Sequence, residues 1–286
     1  MESHSTIKVF RILHDGTPRL LREIGKTREF LAQNIRIGTI LSHEDPVKYL
    51  ADLPGKSHDG SALGLLPPLE DQDIWACGVT YFSSRLARMA ESTSSSSVYD
   101  QVYSAPRPQL FVKGRGRAAV GSESMLRLRS DSKWVVPEPE LVLVISAAGK
   151  IVGATVGNDL SCRDIEGANP LYQPQAKIWD SSTVLGPCIA FTRDLAFLQQ
   201  LPIAMTITRH GISVYSGESN TSSIVRPFQQ LADYLFGYRT FLDGVFLFTG
   251  TGIVPPDEFN LNAGDIVQIT IEGVGTLENV VHDKTK

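Results

Sequence analysis

The chain has 286 residues, 42 % of them hydrophobic and 20 % charged, an ordinary globular composition for one large domain or two small ones. Its 27 Lys and Arg against 31 Asp and Glu leave a net charge of −4, which lacks the basic signature of a nucleic-acid binder or a membrane-surface protein. Cys77, Cys162 and Cys188 have no paired spacing, which argues against a disulfide scaffold or a structural zinc site and for a reducing, cytoplasmic setting.

No apolar stretch approaches about 18 residues, so neither a signal peptide nor a membrane span is expected. Residues 7–12 and 18–23 read as strands around the turn signal Asp15-Gly16. Residues 39–53 have room for a short helix, and a polar loop follows over 54–60. Pro67-Pro68 precedes the apolar run 74–79, a buried strand. These signals divide the chain near residue 70, into a small N-terminal domain (1–70) and a larger domain (71–286). Residues 83–91 have helical composition, 92–97 are almost all serine, and 98–103 are apolar and aromatic. The segment 83–104 is either a lid beside a strand end or a surface helix with a loose connection. From Gln109 onward, short apolar runs alternate with Gly, Pro and Asp turns, notably 141–145, 151–156, 184–191, 203–208, 245–248 and 266–271. This spacing predicts a β-rich roll, barrel or sandwich, with one helix over 227–242.

The chemistry concentrates at Pro137-Glu138-Pro139-Glu140, which opens an apolar run. Strand alternation puts Glu138 and Glu140 on one face. A hairpin centred on Ala148-Gly149 then brings Asp159 opposite Glu138, within roughly 5–6 Å. Three converging carboxylates repel unless a cation or protons neutralise them. All-oxygen ligands suit magnesium first, with manganese or calcium as substitutes. The alternative is an exposed edge with Asp159 in an ordinary turn. Downstream, Arg163-Asp164 reads as an internal ion pair. Lys177 is either a base whose pKa a nearby metal lowers, or a solvated surface lysine. Thr249-Gly250-Thr251 is either a turn whose backbone N–H groups receive a carboxylate or a plain strand-end turn.

Together with Gly78-Val79-Thr80-Tyr81, Phe111-Val112-Lys113, Gly157-Asn158-Asp159-x-Ser161-x-Arg163-Asp164 and Gly186-Pro187, these residues resemble the fumarylacetoacetate hydrolase superfamily over about residues 75–275. The resemblance implies an α+β, β-rich fold, a mixed β-roll with a smaller N-terminal domain, forming a homodimer or homotetramer. It implies magnesium on Glu138, Glu140 and Asp159, and a small-molecule 2-keto acid as partner, with no nucleic acid or membrane. Hydrolases of the superfamily carry a His three residues after the Tyr of the first motif and a Glu three further on. Here those positions are Ser84 and Ala87, and neither side chain can serve as a general base.

The stretch 99–113 with Arg107-Pro108, and the run from Asp164 through Glu166 to Lys177, instead resemble the superfamily's 2-keto-3-deoxy-arabinonate dehydratase branch. That resemblance implies conversion of a 2-keto-3-deoxy pentonate to 2,5-dioxopentanoate in oxidative pentose breakdown. It gives Lys177 the role of base at C3 and puts Thr251 at the C1 carboxylate. Arg107, Lys113 and Glu166 fall at the sugar hydroxyls and leaving group, and Tyr81 and Arg163 also on the substrate side. An acylpyruvate hydrolase or decarboxylase on the same scaffold, or a ligand-binding protein without catalysis, are the competing expectations.

Overall fold

The computed structural model describes residues 6–58, 64–91 and 96–285. The chain opens with β1 (Ile7–His14), β2 (Thr17–Ile24), β3 (Thr27–Phe30), α1 (Ile37–Leu41), α2 (Pro46–Asp52), β4 (Lys56–Ser57) and β5 (Gly64–Leu66). Then come β6 (Asp73–Gly78), α3 (Phe82–Glu91), α4 (Ser96–Ser104), β7 (Gln109–Arg115), β8 (Met125–Arg129), β9 (Val135–Val136), β10 (Pro139–Ile145) and β11 (Ile151–Asp159). β12 (Ser161–Cys162), α5 (Arg163–Ala168), α6 (Gln173–Lys177), β13 (Thr183–Phe191) and α7 (Leu195–Leu198) lead to the last third. That third holds β14 (Pro202–Arg209), β15 (Ile212–Asn220), α8 (Phe228–Phe236), β16 (Val245–Phe248), β17 (Ile266–Ile271) and β18 (Gly275–Thr285).

The large sheet runs β4-β3-β2-β1-β13-β11-β10-β16-β6-β7, with β5 also paired to β1. A second sheet runs β15-β14-β17-β18-β8. β10 sits between two cores. Leu141, Leu143 and Ile145 pack toward β14, β17, β18 and α8, while Val142 and Val144 pack with Ile7, Val9, Leu185, Phe246 and Phe248. A strand buried on both faces reads as an unbroken apolar run, as 141–145 does. The N-terminal strands join the rest through β1, whose Ile7 and Val9 pair with Phe191 and Ile189 of β13.

β10 and β11 pair antiparallel with Pro139 opposite Asn158 and Glu140 opposite Gly157, the register of the hairpin expected from the sequence. The Asp159 N–H donates to the Glu138 carbonyl at 2.9 Å, so Glu138, Glu140 and Asp159 emerge on one face. Two helices differ from expectation. The one over 39–53 is two, because Pro46 cannot sit inside a helix and instead starts α2, with the Asp45 side chain accepting from Lys48 N–H. The one over 227–242 stops at Phe236 with Gly237 as its cap. Tyr238 and Leu242, expected on its buried face, are 102 % and 77 % exposed. The serine-rich stretch splits: residues 96–97 open α4, and 92–95 lie outside the described residues.

Gly157 has no room for a side chain. A Cβ there would stand 2.4 Å from both Phe248 Cε1 and Val142 Cγ2. Gly157→Ala is therefore expected to cost about 1–3 kcal/mol, the usual range for overpacking a core, measured as a lower urea midpoint with an unchanged m-value.

Candidate active site

The carboxylates of Glu138, Glu140 and Asp159 are buried, with one oxygen from each lying within 4.8 Å of the others. They line a small cavity. Glu166 and Lys177 also line it, as do Ser84, Arg88 and Tyr99 from α3 and α4, and Gln109 and Gln173 from the body. Lys177 ends α6, and its Nζ lies 2.8 Å from Glu138 Oε2, 3.0 Å from Asp159 Oδ2 and 2.7 Å from Ser161 Oγ. Its backbone carbonyl accepts from Ser182 Oγ and from the Lys113 ammonium. Lys113 Nζ is also 2.7 Å from Asp159 Oδ1. A carboxylate oxygen has two lone pairs, so Asp159 Oδ1 keeps acceptor capacity beyond this ion pair.

Burial alone would raise Glu138, but Lys177, Arg88 and Arg163 hold its pKa below the usual carboxylate range. Burial raises Glu140 well above its ordinary value, and the charges of Asp159 and Glu138 raise it further. Among the described residues Glu140 has no ion pair. Its polar contact is the Gly250 N–H, which donates to Oε2 at 2.6 Å. Burial pulls Lys177 down, yet Asp159, Glu138 and Glu166 outweigh it and hold the ammonium firmly protonated. The sequence expectation was the reverse. Surrounding carboxylates set this sign, and each of them favours the charged amine.

Three buried carboxylates, one without a cationic partner and one with a spare lone pair, form an oxygen-only donor set that fits a hard divalent cation. The Thr249-Gly250-Thr251 turn does receive a carboxylate, and that carboxylate is Glu140's own. Gly250 has φ +90°, and a Cβ there would stand 2.1 Å from Thr80 Oγ1. That hydroxyl in turn donates to the Thr249 carbonyl at 2.6 Å. Val79, the residue before Thr80, holds φ +55°. This is a strained conformation for a β-branched residue, of the kind that collects at working sites.

Of the residues picked from the sequence, Glu138, Glu140, Asp159, Glu166, Lys177 and Thr251 line the cavity. The others stand elsewhere. Arg107 is exposed and lies over the Tyr234 ring, 5.4 Å from its centroid. Lys113 is 0 % exposed and occupied by Asp159 and backbone carbonyls. Arg163 faces Glu138 Oε1 at 3.6 Å, while its neighbour Asp164 accepts from Ser132 Oγ and Lys133 N–H, both at 2.7 Å. Consecutive residues entering a helix diverge, so the anticipated Arg163–Asp164 pair gives way to these partners. Tyr81 is buried against Gly252, and its phenol is raised by burial and then by Glu140.

Arg88, Ser161, Gln109 and Gln173 were not anticipated. Arg88 donates to Glu138 Oε1 and lies 3.1 Å from Glu166 Oε2. The available signal was its position four residues after Ser84 on the face that α3 turns inward, with Leu86 left 51 % exposed. That arrangement reverses ordinary helix amphipathicity.

A family model described as fumarylacetoacetate (FAA) hydrolase C-terminal matches residues 84–282. The chain belongs to the fumarylacetoacetate hydrolase family. A Haloferax volcanii relative named probable 2-keto-3-deoxyxylonate dehydratase is 45 % identical over 214 residues, which is 75 % of this chain and 73 % of the relative. The Saccharolobus solfataricus 2-dehydro-3-deoxy-D-arabinonate dehydratase is 35 % identical over 234 residues, 81 % of this chain and 78 % of that one. A solved structure of 2-keto-3-deoxy-D-arabinonate dehydratase, complexed with magnesium and 2,5-dioxopentanoate, superposes with a TM-score of 0.86 at 30 % identity. It covers 98 % of this chain and 100 % of the other. The strand-rich α+β fold is that of this family.

Glu140 is a buried carboxylate with no cationic partner among the described residues, an arrangement that costs stability. With chelator present, Glu140→Gln is expected to stabilise the protein by about 0.5–2 kcal/mol, because the amide removes a buried charge and keeps the Gly250 contact. An acid whose folded pKa is raised loses stability as pH climbs from its ordinary value toward the raised one. The advantage of the variant should therefore grow as pH rises above 4.5. Thermal melts in EDTA across that range measure it.

Proposed function

We propose that this chain is a magnesium-dependent dehydratase that converts a 2-keto-3-deoxy pentonate to 2,5-dioxopentanoate. One observation carries the reading: a buried carboxylate triad with the Lys177 amine wedged against two of its members, beneath a helix that lacks the hydrolase dyad. The 45 % and 35 % identical relatives named as dehydratases support it, as does the product-bound neighbour.

Glu138, Glu140 and Asp159 would hold magnesium, which when bound polarises the C1 and C2 oxygens of a 2-keto acid and acidifies its C3 protons. Lys177 is the base that takes a C3 proton: neutralisation of Glu138 and Asp159 by a bound cation would remove what holds its ammonium protonated, and its Nζ is fixed by Ser161 and by the two anchors on its carbonyl. Lys113 is a positioning residue that ties Asp159 to the Lys177 backbone. Loss of the C4 hydroxyl follows on the side of Glu166, releasing water, and a proton shift from C5 leaves the terminal aldehyde. Gln109, Gln173 and Tyr99 offer hydrogen bonds to a hydroxylated chain. Helices α3 and α4 act as the lid. Arg85 pairs with Asp100 across them, and Arg226 holds the carbonyls of Val102 and Ala105 at 2.7 and 2.8 Å.

Hydrolysis on the same scaffold lacks its general base. Ser84 gives its hydroxyl to the Tyr81 carbonyl at 2.8 Å, and Ala87 has no acid to offer. We also infer a homodimer or homotetramer working in the cytoplasm. Three free buried cysteines support a reducing compartment, and exposed Leu171 and Ile178 support burial between copies. No helix among the described residues is long and apolar enough to cross a membrane.

Incubation with magnesium and a panel of 2-keto-3-deoxy sugar acids, coupled to a semialdehyde dehydrogenase, should report turnover that EDTA abolishes. Acylpyruvate cleavage faster than dehydration would overturn the assignment. Lys177→Met should lower turnover by roughly 10²-fold or more, as for other general bases, while calorimetry still detects magnesium binding. Undiminished turnover would remove Lys177 from the chemistry.

A further inference from the structure

Helix α3 presents an unusual contact to the site it covers. Arg88 is 7 % exposed. It reaches from the helix to Glu138 Oε1 with one nitrogen, and to Glu166 Oε2 at 3.1 Å with the other. Glu138 is thus shared by a residue of the covering helix and the site proposed for a divalent cation. Within this cluster, Arg88, Lys113, Arg163 and Lys177 face Glu138, Glu140, Asp159 and Glu166, all of them buried. Among these described residues, charge is matched one for one. A divalent ion entering the triad adds two positive charges to a matched set in a low-dielectric interior. The cation that yields most readily is the one carried on a separate, less embedded element. Lys113 and Arg163 are 0 % and 1 % exposed within the body, whereas Arg88 sits on a helix whose outer face bears exposed Phe82 and Leu86.

We infer that Arg88 and the divalent cation compete for Glu138, so that metal binding loosens α3 and docking of α3 weakens metal binding. This inference rests on the magnesium reading above. Linkage requires the two effects to be equal in size. Arg88 stays at the cavity wall after it yields, because Glu166 still holds its other nitrogen. The ion therefore loads with α3 loosened, which opens the cavity to the keto acid at the step that needs access.

The test is calorimetric titration with magnesium alone, paired with hydrogen exchange of residues 82–90, on wild type, Arg88→Met and Arg88→Lys. Glu138 has Lys177 at 2.8 Å and Arg163 at 3.6 Å besides Arg88, so it is not stranded by either variant, while Glu166 loses its Arg88 partner in Arg88→Met and Arg88→Lys keeps a cation there. Arg88→Met should bind magnesium about tenfold more tightly than wild type, within the usual range of coupling factors. Its α3 amides should exchange faster in chelator and respond little to the ion. In wild type, magnesium alone should speed exchange of α3. Arg88→Lys, which keeps the charge, should bind closer to wild type than to Arg88→Met. Normal binding by wild type with unchanged or weaker binding by Arg88→Met would overturn the competition and leave the metal reading intact. Absence of binding in all three proteins would overturn both.

Discussion

The structure depends on a buried cluster of carboxylates that cannot exist without matching cations. Four acids, Glu138, Glu140, Asp159 and Glu166, are almost wholly removed from water. Ionised groups so placed cost several kcal/mol each unless paired and hydrogen-bonded. Lys113, Lys177, Arg88 and Arg163 supply that pairing from four separate elements: β7, the end of α6, α3 and the start of α5. The cluster therefore ties together pieces distant in sequence. Its one member without an ion pair among the described residues, Glu140, is the place where the cluster is poorest in positive charge and most receptive to a cation.

The fold serves this cluster at specific points. β10 is buried on both faces, which fixes the β10–β11 register, because a slip of one residue would turn every apolar side chain the wrong way. That register sets Glu138 beside Asp159. Gly157 keeps the strand surface bare where Phe248 and Val142 press on it. Gly250, in a conformation other residues avoid, aims its N–H at Glu140. These positions fix the surroundings of the three carboxylates, while Ser84, Arg88 and Tyr99 on α3 and α4 supply another side of the cavity.

Much of this was legible in the chain. Strand alternation and the Ala148-Gly149 turn supply the register that brings the triad together, because hairpin geometry is local, but they leave an exposed edge open, which the family resemblance argues against. The long-range partners were less accessible. Lys113 has the composition of a substrate-binding lysine, and only the tertiary structure shows its ammonium occupied by Asp159 and two carbonyls. Arg107 carries a motif-like Arg-Pro pair yet lies on Tyr234 at the surface. Arg88 is one charge in a helix of mixed composition, and its inward direction follows from packing. Strands β8, β15 and β18 escaped the apolar-run criterion because one face of each meets solvent, leaving a polar alternation such as that of 212–220.

On the helix over the site Ser84 and Ala87 offer no general base, while the three carboxylates and Lys177 stand together beneath it. What remains is machinery for taking a proton from the carbon next to a keto group. Pyruvate has that carbon but no C4 hydroxyl to lose, so it isolates this step. Proton NMR of pyruvate in deuterated buffer should show its methyl signal fading with the wild-type protein and magnesium, and holding steady with EDTA or with Lys177→Met. A methyl signal that persists with wild type and magnesium, or fades equally with Lys177→Met, would contradict proton abstraction at this site by Lys177.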